Sequence, residues 1–104
     1  MADSGTRPDD PLLDDEIVPS PSVSATRVGE ETVLLHLSRG MYFGLDPIGT
    51  RIWEGIEAGR SLRQVCDALV AEFGITQETA RADAAAFVAD LLAQDIIERP
   101  APDA

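Results

Sequence analysis

The chain contains a single histidine, His36, and a single cysteine, Cys66, which are the side chains best suited to nucleophilic or acid–base chemistry. A catalytic pair needs the two groups within hydrogen-bond reach and a third group that orients the base. The apolar pattern predicts His36 on a strand, out of phase with Val33 and Leu35. Cys66 falls in the apolar stripe of a helix. We therefore expect a surface or edge imidazole and a small core thiol, and a small enzyme is the less favoured alternative.

Pairs of carboxylates are a second possible source of chemistry. Glu30 and Glu31 are adjacent, while Asp83 and Asp90 lie on one face of an expected helix. Such pairs could exchange protons or hold a hard cation, but solvated turn and helix charge is the more ordinary state of such residues. The chain lacks a glycine-rich phosphate loop, a zinc spacing and a calcium loop. We expect no catalytic activity, no metal and no cofactor.

The net charge of the chain limits which classes of molecule it can bind. The 104 residues include 19 acidic and 8 basic side chains, a formal net charge of -11. Nucleic acid is not expected to bind, because such binding depends on clustered Lys and Arg. One cysteine forms no internal disulfide. The chain has no stretch typical of a secretory signal or a membrane span, so no membrane association is predicted and the expected location is the cytoplasm.

Composition divides the chain into three parts. Acidic residues and prolines dominate residues 1–21, which hold too few bulky apolar groups to offset the entropy cost of ordering. We therefore expect a flexible acidic tail over residues 1–21, a folded domain over residues 22–98 and a C-terminal tail over residues 99–104.

Period-two and helical patterns predict an α+β fold. Three strands, near residues 22–28, 32–37 and 41–45, should form an antiparallel meander with the second strand in the middle. Capping and glycine signals then predict three helices, near residues 47–58 and 61–73 and from residue 76 onward. The order is winged-helix-like, so a transcription regulator is an alternative, but the second and third helices carry few basic residues.

The third predicted strand has an exposed edge. Met41 to Leu45 is apolar and aromatic and lacks the Lys, Pro or inward charge that usually protects an edge. Gly44 would let another backbone approach closely. The residues alone leave two interpretations open: a guest strand docks here, or Met41, Phe43 and Leu45 merely cover the helices.

Four short motifs follow one another along the chain: Leu34-Leu35, RGMYFGLD at residues 39–46, GTRIWE at residues 49–54, and Asp83 with Phe87 followed by Leu91-Leu92. This ordered set resembles the PqqD-like proteins over residues 23–98. One departure is Asp46, where many relatives have Asn, although both residues can cap a helix.

The resemblance implies a non-catalytic recognition protein that binds the leader of a ribosomal precursor peptide by strand addition, between the third strand and the third helix. The implied partners are that precursor and a separate modifying enzyme, with a lasso-peptide leader peptidase favoured. A chaperone for a radical SAM enzyme of pyrroloquinoline quinone or related synthesis is the alternative. A monomer is expected, and pairing of two copies through the open edge is the other possibility. The implied peptide-binding residues are Met41, Tyr42, Phe43, Gly44, Leu45, Asp83, Ala84, Phe87, Val88 and Leu91.

Overall fold

A computed structural model describes residues 11–100 and shows a mixed α+β fold. Three strands form an antiparallel sheet in the order β2-β3-β4, so β3 is central and β4 pairs on one side only. The predicted meander followed by three helices is thus confirmed. In chain order the elements are a short 3-10 helix (Pro11–Asp14), β1 (Val18–Pro19), β2 (Val23–Val28), β3 (Glu31–His36), β4 (Met41–Leu45), α1 (Pro47–Glu57), α2 (Leu62–Phe73), α3 (Gln77–Ala93) and β5 (Ile97–Glu98).

The register of the sheet decides which side chains face the helices. Leu34 of β3 pairs with Phe43 of β4, and Leu34 is fully buried. Thr32 pairs with Leu45 in the same way, and both are buried. Because paired residues project from the same face of a sheet, the even-numbered residues of β3 and the odd-numbered residues of β4 form the inner face. Val33 lies on the outer face and is 38% exposed.

His36 lies on the inner face and is only 4% exposed, which corrects the prediction of a surface or edge imidazole. The prediction assigned the odd-numbered residues of β3, Val33 and Leu35, to the face that packs on the helices, because they are more apolar than the even-numbered residues. The neighbouring strand overrides that local pattern. The odd-numbered positions of β4 are all large and apolar, whereas the even-numbered ones include Gly44, so packing the helices against the odd-numbered side buries more apolar surface.

The predicted caps set the ends of the helices. At the start of α1, the Asp46 carboxylate accepts a hydrogen bond of 2.7 Å from the Gly49 amide. Ser61 and Gln64 form both halves of a capping box before α2. Gly74 ends α2 in the left-handed conformation, with φ of 69°. None of the helices within residues 11–100 is long and apolar enough to cross a membrane.

The segment before β2 is part of the folded core, which corrects the expectation of a flexible tail through residue 21. Leu13 is 1% exposed and Ile17 is 9% exposed, and both belong to the same apolar cluster as the three helices. The strand β1 then pairs antiparallel with β5 near the other end of the chain. The remainder of the predicted tail, residues 1–10, lies outside the described residues.

Two ion pairs hold this segment on the surface of the helical layer. Arg63 of α2 donates two hydrogen bonds to Asp14, at 2.7 and 3.0 Å. Arg99 donates to Asp15 at 2.8 and 3.0 Å, so the folded unit extends past the predicted boundary at residue 98. Of the predicted C-terminal tail, residues 101–104 lie outside the described part of the chain.

Candidate functional site

The free edge of β4 presents hydrogen-bonding groups of known direction. The Leu37 amide donates to the Ser22 carbonyl at 2.7 Å, which continues the β2–β3 ladder. Successive residues of a strand direct their amide and carbonyl groups to alternate sides. Even-numbered residues of β3 therefore bond to β4, and their partners are the odd-numbered residues of β4. The amide and carbonyl groups of Tyr42 and Gly44 point away from the sheet, and no strand within residues 11–100 pairs with them.

A groove with a cavity volume of about 520 Å³ runs beside this edge, between β4 and α3. Leu45 and Leu91 are buried and contribute little apolar surface to the groove, whereas Phe43 and Phe87 are half-buried and keep part of their rings accessible. The lining consists of one stretch of β4 with its following residue and one face of α3. These residues are Tyr42, Phe43, Gly44, Leu45, Asp46, Phe87, Asp90 and Leu91.

A second cavity of about 310 Å³ adjoins the groove and shares Asp46 and Phe87 with it. It lies between the start of α1 and α3. Gly49 allows the close approach of these two helices, because a Cβ atom there would lie 3.2 Å from a ring carbon of Phe87. A side chain at position 49 would therefore push the ring. The other lining residues are Ile48, Gly49, Ile52, Asp83 and Ala86.

Local contacts fix β4 against the helices. The Thr50 hydroxyl of α1 donates to the Leu45 carbonyl at 3.4 Å, which ties the end of β4 to the helix that follows it. At the opposite end, Arg39 in the β3–β4 turn forms an ion pair with Asp95 just after α3. These contacts tie one end of β4 to α1 and connect the turn at its other end to the residues that follow α3.

The groove is acidic. Asp46, Asp83 and Asp90 line the two cavities, and no arginine is among the lining residues of either. Asp46 is engaged as the cap of α1 through its contact with Gly49, while Asp83 and Asp90 are exposed on α3. Any guest chain in the groove thus meets negative charge along the helical wall.

Most of the predicted peptide-binding residues lie at this groove. Tyr42, Phe43, Gly44, Leu45, Phe87 and Leu91 line it, and Asp83 lines the adjoining cavity. Met41 is 39% exposed at the start of β4 and lines neither cavity.

Two of the predicted residues, Ala84 and Val88, are fully buried and line neither cavity. They lie one turn apart on the core side of α3, away from the surface of the groove, and their contact with a guest stays a prediction. The predicted peptide-binding set omits Asp46 and Asp90, although the helical pattern already places Asp90 on the same face as Asp83. The set also omits four residues that line the adjoining cavity, Ile48, Gly49, Ile52 and Ala86.

The two nucleophile candidates are not joined. The Cys66 thiol is fully buried and contacts the Ala80 carbonyl at 3.7 Å, and burial raises the pKa of this thiol. Among residues 11–100, the buried Nδ1 atom of His36 finds no hydrogen-bond partner. Across the described part of the chain, no three His, Cys, Asp or Glu side chains come together as a metal site.

Comparison with known proteins gives matches of two kinds. The model of the family described as coenzyme PQQ synthesis protein D (PqqD) matches residues 31–97. A solved structure of TbiB1 in complex with the TbiA(beta) leader peptide has a TM-score of 0.76 and 35% identity, covering 82% of this chain and 99% of that one. Lasso peptide synthetase B1 complexed with the leader peptide has a TM-score of 0.74 and 25% identity, covering 80% and 98%. No curated protein matches.

Proposed function

The chain belongs to the PqqD family, and from that premise we propose that it captures the leader of a ribosomally made precursor peptide and presents it to a processing enzyme. The observation that carries the proposal is the unpaired edge of β4 above an apolar groove. Recognition by strand addition requires both parts, because main-chain bonds supply affinity and pockets for alternate side chains supply specificity. Two structurally similar proteins, TbiB1 and lasso peptide synthetase B1, were each solved in complex with a leader peptide.

Simple energetics show why the groove matters as much as the edge. The outward groups of Tyr42 and Gly44 offer four main-chain hydrogen bonds, worth about 2–6 kcal/mol net. Association costs on the order of 4–15 kcal/mol. Backbone pairing alone is therefore too weak, and the guest must bury apolar side chains as well. The accessible parts of Phe43 and Phe87 provide that surface.

The proposed role is non-catalytic, and the chemistry belongs to a separate chain. A leader peptidase of lasso-peptide synthesis is the favoured enzyme, because the structural relatives that support the proposal include a lasso peptide synthetase component. The family model favours a second candidate, a peptide chaperone for a radical SAM enzyme of pyrroloquinoline quinone or related synthesis. Reconstituting precursor processing with each enzyme, in the presence and absence of this protein, separates the two.

A titration with labelled leader peptide tests the binding step. The probes are the TbiA(beta) leader and the leader peptide bound by lasso peptide synthetase B1. Gly44→Pro removes an amide that points to the guest and leaves the β3–β4 ladder intact, since proline is tolerated where the amide faces outward. The guest carbonyl then loses its partner, at about 1–3 kcal/mol or roughly 5–150-fold in Kd.

Gly44→Ala is the matched control, because it keeps the amide and meets no atom within 4 Å. It should bind within about threefold of the natural protein. Circular dichroism and urea unfolding establish that both variants are folded. If no leader binds saturably, or if Gly44→Pro binds as tightly as Gly44→Ala, strand addition at β4 is wrong.

A further inference from the structure

The fold itself does not require a glycine at position 44. The backbone of Gly44 does not adopt the left-handed conformation that favours glycine, and a Cβ atom there would lie more than 4 Å from every atom of residues 11–100 apart from its chain neighbours. A strand normally loses stability at glycine, which has no side chain to pack and more entropy to lose on folding. The absence of a side chain at this position therefore leaves open space for something other than the chain's own packing.

The open space at Gly44 lies on the outer face of the sheet, opposite the helices and the groove. Its cross-strand partner is Val33, which is 38% exposed. Tyr42, two residues away on the same face, is 72% exposed. The side chains of Val33 and Tyr42 thus flank the backbone of Gly44, which carries no side chain, at the edge of the sheet. We call the surface formed by Val33, Tyr42 and Gly44 the outer notch.

We propose that the outer notch receives one large apolar side chain, preferably aromatic, from the guest strand. This inference rests on the proposed strand addition. A guest that pairs antiparallel with β4, as every strand of this sheet does, exchanges both hydrogen bonds with Gly44 at one of its residues. The side chain of that residue emerges on the face of Gly44, because paired residues share a face.

The dimensions of a sheet allow that side chain to reach its walls. Neighbouring strands lie about 4.8 Å apart, so the guest strand runs about 10 Å from β3. A ring that leans across Gly44 covers most of that distance and contacts Val33. Packing of aromatic residues over edge glycines is a known means of pinning register. The notch therefore fixes which guest residue stands opposite Gly44.

The same geometry predicts a pattern in the leader. Residues on either side of the one in the notch point to the opposite face, toward Phe43 and Phe87 in the groove. A leader segment recognised by this protein should thus carry three consecutive apolar residues, of which the middle one is the largest. A guest held by the groove alone would alternate apolar and polar residues instead.

A double-mutant cycle tests the notch. Gly44→Val fills it while keeping the outward amide and a residue type that favours strands. The probes are the same two leader peptides, each also prepared with alanine at every position in turn. One alanine replacement should weaken binding to the natural protein by up to about fivefold and have no further effect on Gly44→Val. The positions on either side should matter equally in both proteins.

Ser24→Val is the matched control, since Ser24 is exposed on the outer face of β2, away from the edge of β4. It should leave every affinity unchanged. If Gly44→Val binds as tightly as the natural protein while Gly44→Pro does not, strand addition stands and the notch is wrong. The notch is equally wrong if every alanine replacement acts alike in both proteins. If no leader binds to the natural protein, the proposed function fails, and the notch fails with it.

Discussion

Phe87 and Val88 are neighbours on α3 with opposite surroundings, and replacing each by alanine separates binding from stability. Phe87 is half-buried and lines both the groove and the adjoining cavity. Val88 is fully buried and lines neither. We expect Phe87→Ala to weaken binding of the leader peptide strongly at a moderate cost in stability. Val88→Ala should lower stability and leave the affinity of the folded protein unchanged.

The structure sets the size of both effects. Val88→Ala removes two buried carbon groups at about 0.8 kcal/mol each, and the cavity left behind raises the cost to about 2–3 kcal/mol. For a domain of this size that lowers Tm by roughly 10–20 °C. Phe87→Ala removes the main apolar wall that a guest can cover, a loss of about 1.5–3 kcal/mol or roughly 10–150-fold in Kd.

Two measurements on the same samples decide the matter. Urea unfolding followed by circular dichroism gives the stability of each variant, and fluorescence anisotropy with labelled leader peptide gives Kd at a temperature where both variants are folded. Unchanged affinity in Phe87→Ala would refute the groove as the docking surface. Equal losses of affinity in both variants would show that binding depends on the general packing of α3 rather than on its exposed face.

Three further predictions concern the ordered N-terminal segment, the buried thiol and the charge of the groove. Leu13→Ala should lower the free energy of unfolding by about 2–5 kcal/mol in urea titrations, because Leu13 is 1% exposed. Leu37→Ala, at a leucine that is 62% exposed, should cost less than about 0.5 kcal/mol. Because burial raises the pKa of Cys66, stability should be intact below the unfolded thiol pKa of about 8.5 and fall as pH rises through the folded pKa, and Cys66→Ala should remove that fall in urea titrations between pH 7 and about 10.5. Replacing Asp83 and Asp90 by asparagine should weaken binding of a leader with net positive charge and strengthen binding of one with net negative charge, each by less than about 1 kcal/mol, and the difference should vanish in titrations at high salt.

The elements of the fold were predictable because their signals are local. The capping box of Ser61 and Gln64 and the left-handed Gly74 each depend on a few adjacent residues, and each lies where the pattern predicts it. The resemblance to PqqD-like proteins, taken from ordered short motifs, is confirmed by the family match over residues 31–97. The resemblance also implied a site between β4 and α3, and residues from two of its motifs line the groove there.

The misses share a different cause, which is that burial depends on partners distant in sequence. Composition predicts a tail at Leu13 and Ile17 because few apolar residues surround them. Their partners are supplied by the helices and by β5, which follow much later in the chain. The inward face of β3 is likewise decided by β4. His36 is buried because its strand neighbour presents large residues on that side, which no pattern within β3 could reveal.

Odd- and even-numbered residues of β4 have different roles, because their main-chain groups and side chains point in alternate directions. Its odd-numbered residues bond to β3 and hold the helices, so substitutions at Phe43 or Leu45 must disturb folding and binding together. Its even-numbered residues direct their main-chain groups outward and carry side chains that the core does not need, so we expect changes at Tyr42 and Gly44 to affect the proposed binding more than the fold. Within residues 11–100, β1 pairs with β5 and no strand pairs with the outer edge of β4. The described part of the N-terminal segment therefore contributes to the core without covering the proposed docking surface.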